Sequence, residues 1–388
     1  MKIPVYLFTK PSNIAMVAAA LSFVGWAFPS FGVLRKGFEK PATLDPAAIP
    51  VVASWYALIF VCFRVGEFFG TPRDSSSVTS FAVPSLDANL AYNLLTITAA
   101  VGVVAAVGKV IGSLSLAGAI GFVLTGQANE MKDAIYEEYQ IGLLSLRYVV
   151  VYPAAIALYR LATRRRLSFS IALNLLLLLV SALVSFRLAL VATALTAFLL
   201  LNYNIRYRRV RLTRVLLVGA LLFSLLAVFN YSRNYGFYED RGLSFWSSGF
   251  AEIITYLGGP FQVSLGTAAR TSDLVSGREE SYRELVDVEE QLNRPSAFVT
   301  LHQQMGYLCW LYIAVVCSIF GFVYSRLVAL GKTMYLLPCG AILYASAELW
   351  RVNLFGQGIF IALMVIGIGV PWVLSVVAPF SEPSQIVA

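Results

Sequence analysis

Apolar segments of about 20 residues, the length an α-helix needs to cross a bilayer, recur along the whole chain. They do not alternate polar and apolar residues as the strands of a membrane β-barrel do. The composition agrees, because 59% of the 388 residues are hydrophobic and only 13% are charged, against about 25% charged in soluble domains. The sequence therefore predicts one all-α polytopic membrane domain over 1–388, with no separate soluble domain.

The hydropathy pattern indicates about 11 to 12 transmembrane helices. We place the spans at residues 12–33, 49–67, 87–107, 110–126, 142–161, 168–185, 188–204, 215–230, 306–326, 333–349 and 355–378.

Two strongly basic loops, at 160–166 and 205–214, set the expected orientation, because cytoplasmic loops carry an excess of Lys and Arg. Counting spans forward from them places 231–305 on the outer side as a large periplasmic loop. Counting backward leaves the N-terminus outside as well, which fits poorly with the positive charges of Lys2 and Lys10.

The large loop contains an apolar stretch, 251–266, that is interrupted by Gly258, Gly259 and Pro260. Exposed backbone is costly in lipid, so we interpret this stretch as a re-entrant or cavity-lining segment. The glycines would let the chain turn where a lipid-linked sugar approaches. Further on, 278–292 has the spacing of an amphipathic helix, either on the membrane surface or packed on the loop.

Three arginines are candidates for binding an anionic substrate. Arg187 lies at the tip of a hairpin between two predicted spans, and Arg233 and Arg241 follow the span that ends at Asn230. Ionisable groups at membrane depth are costly and usually functional, and guanidinium binds phosphate bidentately. The alternative for Arg187 is an arginine that extends its head to the lipid headgroups.

Candidates for acid–base chemistry and sugar contact lie on the same outer side. His302, the only histidine, begins the span after the large loop and is either a general base or a hydrogen-bonded boundary residue. Glu252 is either catalytic or a capping group, and Tyr256 could stack on a sugar. Arg351 either binds substrate or forms a simple i,i+3 ion pair with Glu348.

Other chemistries find little support in the sequence. No HExxH, CxxC, Walker A, GxSxG or DxD pattern is present, so we expect no metal ion and no cofactor. The net charge of +8 lies mainly in loops that flank the spans, which argues against a nucleic-acid partner.

Three stretches resemble bacterial oligosaccharide repeat-unit polymerases of the Wzy type, which include O-antigen polymerases. They are RLALVATALTAFLLLNY (187–203), ITYLGGPFQVSL (254–265) and AFVTLHQQMGYLCWLYIAVVCSIFGFVYSRL (297–327). The first is similar to the family's arginine-led span, the second to its Tyr-Leu-x-Gly-Pro segment, and the third to the span after its major loop. Many members carry an acidic residue before the glycine of the third stretch, where this chain has Met305.

The resemblance implies a metal-independent glycosyltransferase of the GT-C class in the bacterial inner membrane, acting at the periplasmic face in lipopolysaccharide or other polysaccharide biosynthesis. Its partner would be a polyprenyl-diphosphate-linked (undecaprenyl-type) oligosaccharide, whose glycan is transferred onto a lipid-linked repeat unit. Arg187, Arg233 and Arg241 would hold the diphosphate, and His302 or Glu252 would activate the acceptor. Association with a chain-length regulator stays open.

Two rival functions fit much of the same pattern. An O-antigen ligase would use the same donor with lipid A core as acceptor. A lipid-linked oligosaccharide flippase would move the substrate without a chemical step, although transporters usually show paired broken helices and only one broken segment is visible here.

Overall fold

The computed structural model describes residues 2–4, 6–27, 47–72, 89–125, 129–136, 142–184, 188–205, 209–211, 213, 217, 219–221, 224–228, 239, 242–269, 296–331 and 333–377. Its helices are α1 Tyr6–Thr9, α2 Pro11–Ala27, α3 Ala48–Gly70, α4 Asn89–Leu114, α5 Leu116–Leu124, α6 Asn129–Tyr136, α7 Val151–Arg164, α8 Phe169–Val184, α9 Ala189–Ile205, α10 Phe245–Ala269, α11 Ala297–Met305, α12 Leu308–Ala329, α13 Leu336–Glu348 and α14 Gly358–Val377. Two 3-10 helices, Leu143–Val150 and Thr333–Tyr335, precede α7 and α13, and two short strands are β1 Lys2–Pro4 and β2 Arg209–Arg211.

Helices dominate the described chain, and four helical segments within it are long and apolar enough to cross a membrane. These are Ala48–Gly70, Leu90–Leu114, Leu143–Arg164 and Leu308–Ala329. Shorter apolar helices such as Pro11–Ala27 and Gly358–Leu374 accompany them. The helical class is thus confirmed apart from one small strand pair, and the four segments support a membrane protein. The total number of spans and the large outer loop stay predictions.

The span predicted at 110–126 is wrong. Helix α4 continues to Leu114, and Ser115 then begins a new helix by accepting a hydrogen bond from the backbone N–H of Gly118. The second helix, α5, has nine residues, or about 14 Å of rise, which is half the thickness of a bilayer core. Residues 110–126 are therefore the end of one long helix and a short helix after it.

The N-terminus lies beside the second basic loop. Strand β1 pairs antiparallel with β2, with Lys2 opposite Arg211 and Pro4 opposite Arg209, and β2 follows α9. This contradicts the backward count that placed the N-terminus outside, on the side away from the basic loops. The reason is the false span at 110–126, since removing one span reverses the side of everything before it.

These contacts define two ends of the helix bundle. At the basic end lie the β1–β2 pair, the start of α2 and the last turns of α3 and α12, because Ser12 bonds Glu67 and Tyr324 donates to the carbonyl of Thr9. At the opposite end, α13 finishes at Glu348 and α9 begins near Leu188, which line one cavity. Basic residues at this end include Lys2, Lys10, Arg64, Arg209, Arg211 and Arg326.

Helices α3 and α12 pack backbone to backbone through glycines and run in the same direction. A Cβ on Gly66 would lie 2.1 Å from the carbonyl oxygen of Ser318, and one on Gly321 would lie 2.6 Å from the carbonyl oxygen of Phe63. Gly70, four residues after Gly66, meets the next turn of α12. Small residues four apart allow such close approach between membrane helices.

The turn predicted at Gly258–Gly259–Pro260 is wrong, because α10 continues through all three residues. Gly258 instead lets α10 approach α2, since a Cβ there would lie 2.8 Å from the carbonyl oxygen of Gly25. The Ser22 hydroxyl donates to the carbonyl oxygen of Leu257 at 2.7 Å. A proline inside a helix costs about 3 kcal/mol, and this contact between helices offsets part of that cost.

The α3–α12 contact predicts that Gly66→Ala destabilises the protein. The added methyl group would overlap the backbone of α12, which cannot move aside as a flexible side chain would, so we expect a loss of about 1–3 kcal/mol. The measurement is thermal unfolding of the detergent-purified protein. Gly108→Ala is the matched control, because a Cβ at that helical glycine has no neighbour within 4 Å. Equal melting temperatures for the two variants would contradict the packing.

The strand pairing predicts a specific crosslink between the N-terminus and the loop after α9. With the four native cysteines replaced by alanine, Lys2→Cys combined with Arg211→Cys should be joined by a short thiol crosslinker, because the two residues are partners in the strand register. The control is Lys2→Cys with Gly358→Cys, at the opposite end. Crosslinking of the control pair with equal yield would rule out the pairing.

Candidate functional site

A buried ion pair marks the opposite end of the bundle. Arg351 donates from Nε and Nη2 to the same oxygen of Glu348, at 2.9 and 2.7 Å. The side chain of Arg351 is 20% exposed and that of Glu348 is 6% exposed. The i,i+3 pairing considered from the sequence is therefore present, and it lies largely out of solvent.

One aromatic ring lies against the guanidinium of this pair, and a second ring packs against the first. The central carbon of the guanidinium lies 4.9 Å from the centre of the Tyr256 ring, which α10 supplies. The Trp350 ring meets Tyr256 edge-on, with centres 5.8 Å apart. Tyr256 and Arg351, chosen separately from the sequence, are thus brought together by α10 and the turn after α13.

The electrostatics of this cluster keep Arg351 charged. Burial opposes the charged form, but the nearby Tyr256 and Glu348 outweigh it and raise the pKa of the guanidinium above its ordinary value. Guanidinium is already the most basic side chain. The cluster therefore presents a permanent, partly desolvated cation, and electrostatic interactions are stronger in such surroundings.

The local backbone explains why the Arg351 side chain lies beside Glu348 and Tyr256. Helix α13 ends at Glu348, whose carbonyl accepts hydrogen bonds from the N–H groups of Arg351 and Val352, both at 2.8 Å. The next turn is fixed by Asn353, whose side chain accepts from the N–H of Phe355 and donates to the hydroxyl of Tyr312. This arrangement holds the ion pair on a short, well-bonded turn.

An apolar cavity of 300 Å³ adjoins the cluster. Glu348, Tyr256 and Trp350 contribute to its wall, and the rest is aliphatic or small. The other lining residues are Ile14, Val17, Ala18, Leu21, Leu188, Val191, Leu195, Gly219, Leu226, Ile253, Leu257 and Ala347. Helices α2, α9, α10 and α13, together with Gly219 and Leu226, therefore line an apolar space whose wall includes Glu348, the carboxylate partner of Arg351.

His302 lies in a separate aromatic group. It belongs to α11, which Ser296 caps by accepting from the N–H of Val299. His302 is 2% exposed, and its imidazole packs against Phe298 and Tyr307, with ring centres 5.8 and 5.4 Å apart. Its role as general base stays a prediction.

The remaining candidates are placed only in part. Gly258 and Gly259 are buried in α10, within one turn of Tyr256. Glu252 belongs to α10, but its side chain is not among those described, and Arg187, Arg233 and Arg241 lie outside the described residues, as does 278–292. Within the described chain, no three His, Cys, Asp or Glu side chains gather closely enough to hold a metal ion.

Sequence reasoning left two members of the cluster out of the site. The sequence pattern indicates Glu348 only as an ion-pair partner of Arg351 and does not single out Trp350. The i,i+3 spacing of Glu348 and Arg351, with a tryptophan between them at a helix end, is the signal that could have identified both.

Comparison with known proteins adds no relative. No protein-family model, curated protein or solved structure matches the chain.

The buried pair predicts that Glu348→Gln lowers the free energy of unfolding. The substitution keeps the shape but leaves the Arg351 cation without its carboxylate, and a hydrogen bond to a charged group contributes about 1.5–3 kcal/mol. Thermal or denaturant unfolding in detergent measures the loss. Glu130→Gln, at an exposed carboxylate of α6, is the control and should change stability little. A loss no larger than that of the control would mean that the pair does not stabilise this end.

Proposed function

We propose that this protein is a membrane-embedded, metal-independent glycosyltransferase of the Wzy type, a polysaccharide polymerase. It would transfer glycan from a polyprenyl-diphosphate donor onto a lipid-linked repeat unit. The observation that carries the proposal is the Arg351–Glu348 pair beside an apolar cavity. Glu348 lines the cavity and is paired with the Arg351 guanidinium. A cation held beside an apolar cavity wall suits a ligand with a phosphorylated head and a hydrocarbon tail.

The hydrogen-bonding capacity of Arg351 supports a diphosphate ligand. Guanidinium has five N–H donors in a planar fork, and Glu348 uses one on Nε and one on Nη2. The other three can meet phosphate oxygens, with the geometry that favours bidentate binding. In this proposal Glu348 and the Tyr256 ring hold the fork in place, so Tyr256 positions Arg351 in addition to any contact with sugar.

The charge distribution supports an outward-facing site. Lys2, Lys10, Arg209, Arg211 and Arg326 gather at one end, and the positive-inside rule assigns that end to the cytoplasm. The Arg351 cluster at the opposite end would then face the periplasm of the bacterial inner membrane. Lipid-linked repeat units that have been flipped across the membrane would reach it there.

The lining of the cavity supports a contribution to diphosphate binding from the span 187–203, which begins with Arg187. Leu188, which directly follows Arg187 in the chain, lines the cavity together with Glu348, and α9 begins at the next residue. The first turn of a helix carries partial positive charge and favours anions. In the proposal Arg187, Arg233 and Arg241 join Arg351 around the diphosphate.

The chemical step is a displacement at the anomeric carbon. The acceptor hydroxyl oxygen forms a bond to this carbon as the bond to the diphosphate oxygen breaks, and polyprenyl diphosphate leaves as an anion. The arginines stabilise the charge that develops on it. His302 or Glu252 takes the proton of the hydroxyl.

The decisive test is elongation of a synthetic lipid-diphosphate repeat unit by purified protein without any ion gradient. We expect longer lipid-linked products from the wild type and a loss of about a hundredfold in rate from Arg351→Lys, because lysine keeps the charge but lacks the fork. Arg326→Lys, at the basic end, should retain activity.

Failure of the wild type to elongate would exclude a polymerase, and movement of the lipid without elongation would favour a flippase. Transfer onto lipid A core alone would identify a ligase instead. Normal chain-length ladders from Arg351→Lys would remove Arg351 from the site.

A further inference from the structure

A second cavity, of 780 Å³, lies at the basic end between the last turns of α3 and α12. It shares no lining residue with the cavity beside the Arg351 cluster, and the proposed transfer reaction makes no use of it. Both helices are among the segments long and apolar enough to cross a membrane. The cavity therefore lies where two candidate spans reach one boundary of the bilayer.

Two cations and one carboxylate line this cavity. Arg64 and Glu67 extend from α3, and Lys10 precedes α2. Arg64 is held in place, because its Nη2 donates to the Asn13 side chain at 3.1 Å and its Nη1 lies 3.5 Å from Glu67. The carboxylate is turned inward: Glu67 is 6% exposed and accepts a hydrogen bond from the N–H of Ser12. The charges that face the opening are consequently the positive ones.

The rest of the lining is apolar and faces outward from the bundle. Val61, Val65 and Phe68, on successive turns of α3, are 53%, 43% and 65% exposed. Val61 lies on the side of Arg64 toward the middle of the helix, and Phe68 lies toward its C-terminal end. The cavity also includes Phe60, Val328 and Ala329. Exposed apolar side chains on a candidate span are the surface that lipid tails cover.

We propose that this cavity is a binding site for an anionic phospholipid. The phosphate lies between Lys10 and Arg64, and an acyl chain follows Val61 and Val65 along α3. Basic pockets between membrane helices on the cytoplasmic side bind anionic headgroups in this way. An anionic lipid fits better than a zwitterionic one, because the one carboxylate of the lining is buried and already bonded to Ser12. A soluble phosphate would leave the apolar wall uncovered.

The site has a structural consequence for the first helix. Glu67 and Arg64 hold the first residues of α2 through Ser12 and Asn13, and Lys10 stands directly before that helix. A phosphate between Lys10 and Arg64 would tie the start of α2 to α3 more firmly.

Native mass spectrometry of the detergent-purified protein, titrated with phosphatidylglycerol and with phosphatidylcholine of the same acyl chains, tests the proposal. We expect the wild type to retain phosphatidylglycerol preferentially and Lys10→Gln to weaken that binding about fivefold, since each basic residue near an anionic lipid surface contributes about that factor. Arg326→Gln is the matched control: it removes one charge from α12 at the same end, and the guanidinium lies over the Phe322 ring, 5.2 Å from its centre, outside the cavity lining.

A second variant tests Arg64 without leaving the Glu67 carboxylate buried and unpaired. Arg64→Gln, Glu67→Gln and Lys10→Gln combined should remove the preference for phosphatidylglycerol while phosphatidylcholine binding stays as in the wild type. Equal retention of the two lipids by the wild type would overturn the proposal, and so would an equal loss from Arg326→Gln. Displacement of the lipid by excess glycerol phosphate, or a dimer that excludes lipid, would likewise overturn it.

Discussion

Close contact between helix backbones at glycines organises this bundle. Lipid tails are as apolar as leucine, so helices in a membrane gain little from hiding apolar surface and depend on tight packing. Gly66 and Gly321 bring α3 and α12 together, and Gly25 and Gly258 do the same for α2 and α10. Because α10 carries Tyr256, the second contact also determines where the candidate site can form.

The two ends of the bundle use buried charge differently. At the candidate site, one oxygen of Glu348 accepts hydrogen bonds from Nε and Nη2 of Arg351. At the basic end, Glu67 serves the protein itself, because it accepts from the first turn of α2 and orients Arg64. A buried ion pair contributes little net stability when the desolvation of both partners is counted, although removing one partner alone is costly, so positioning is the better account of both pairs.

The sequence was a good guide to class and a poorer one to local detail. Apolar segment length predicted a helical membrane protein, because that length follows directly from bilayer thickness. Hydropathy could not show that 110–126 breaks at Ser115, since α4 and α5 are both apolar. The glycines at 258–259 suggested a turn, whereas Gly258 is a contact point for the neighbouring helix α2, and such a neighbour cannot be identified from local sequence. Spacing did give the Glu348–Arg351 pair as one of two alternatives, because i and i+3 share a helix face.

The pairing of β1 with β2 ties together residues that are made far apart in time. At about 5–20 residues per second of synthesis, roughly 10 to 40 seconds separate translation of Pro4 from that of Arg209, which it faces in the register. During that interval β1 and α2 have already been synthesised, whereas β2, the strand partner of β1, has not. The N-terminal strand β1 therefore stays unpaired until β2 has been synthesised, and the β1–β2 pairing belongs to the later steps of assembly.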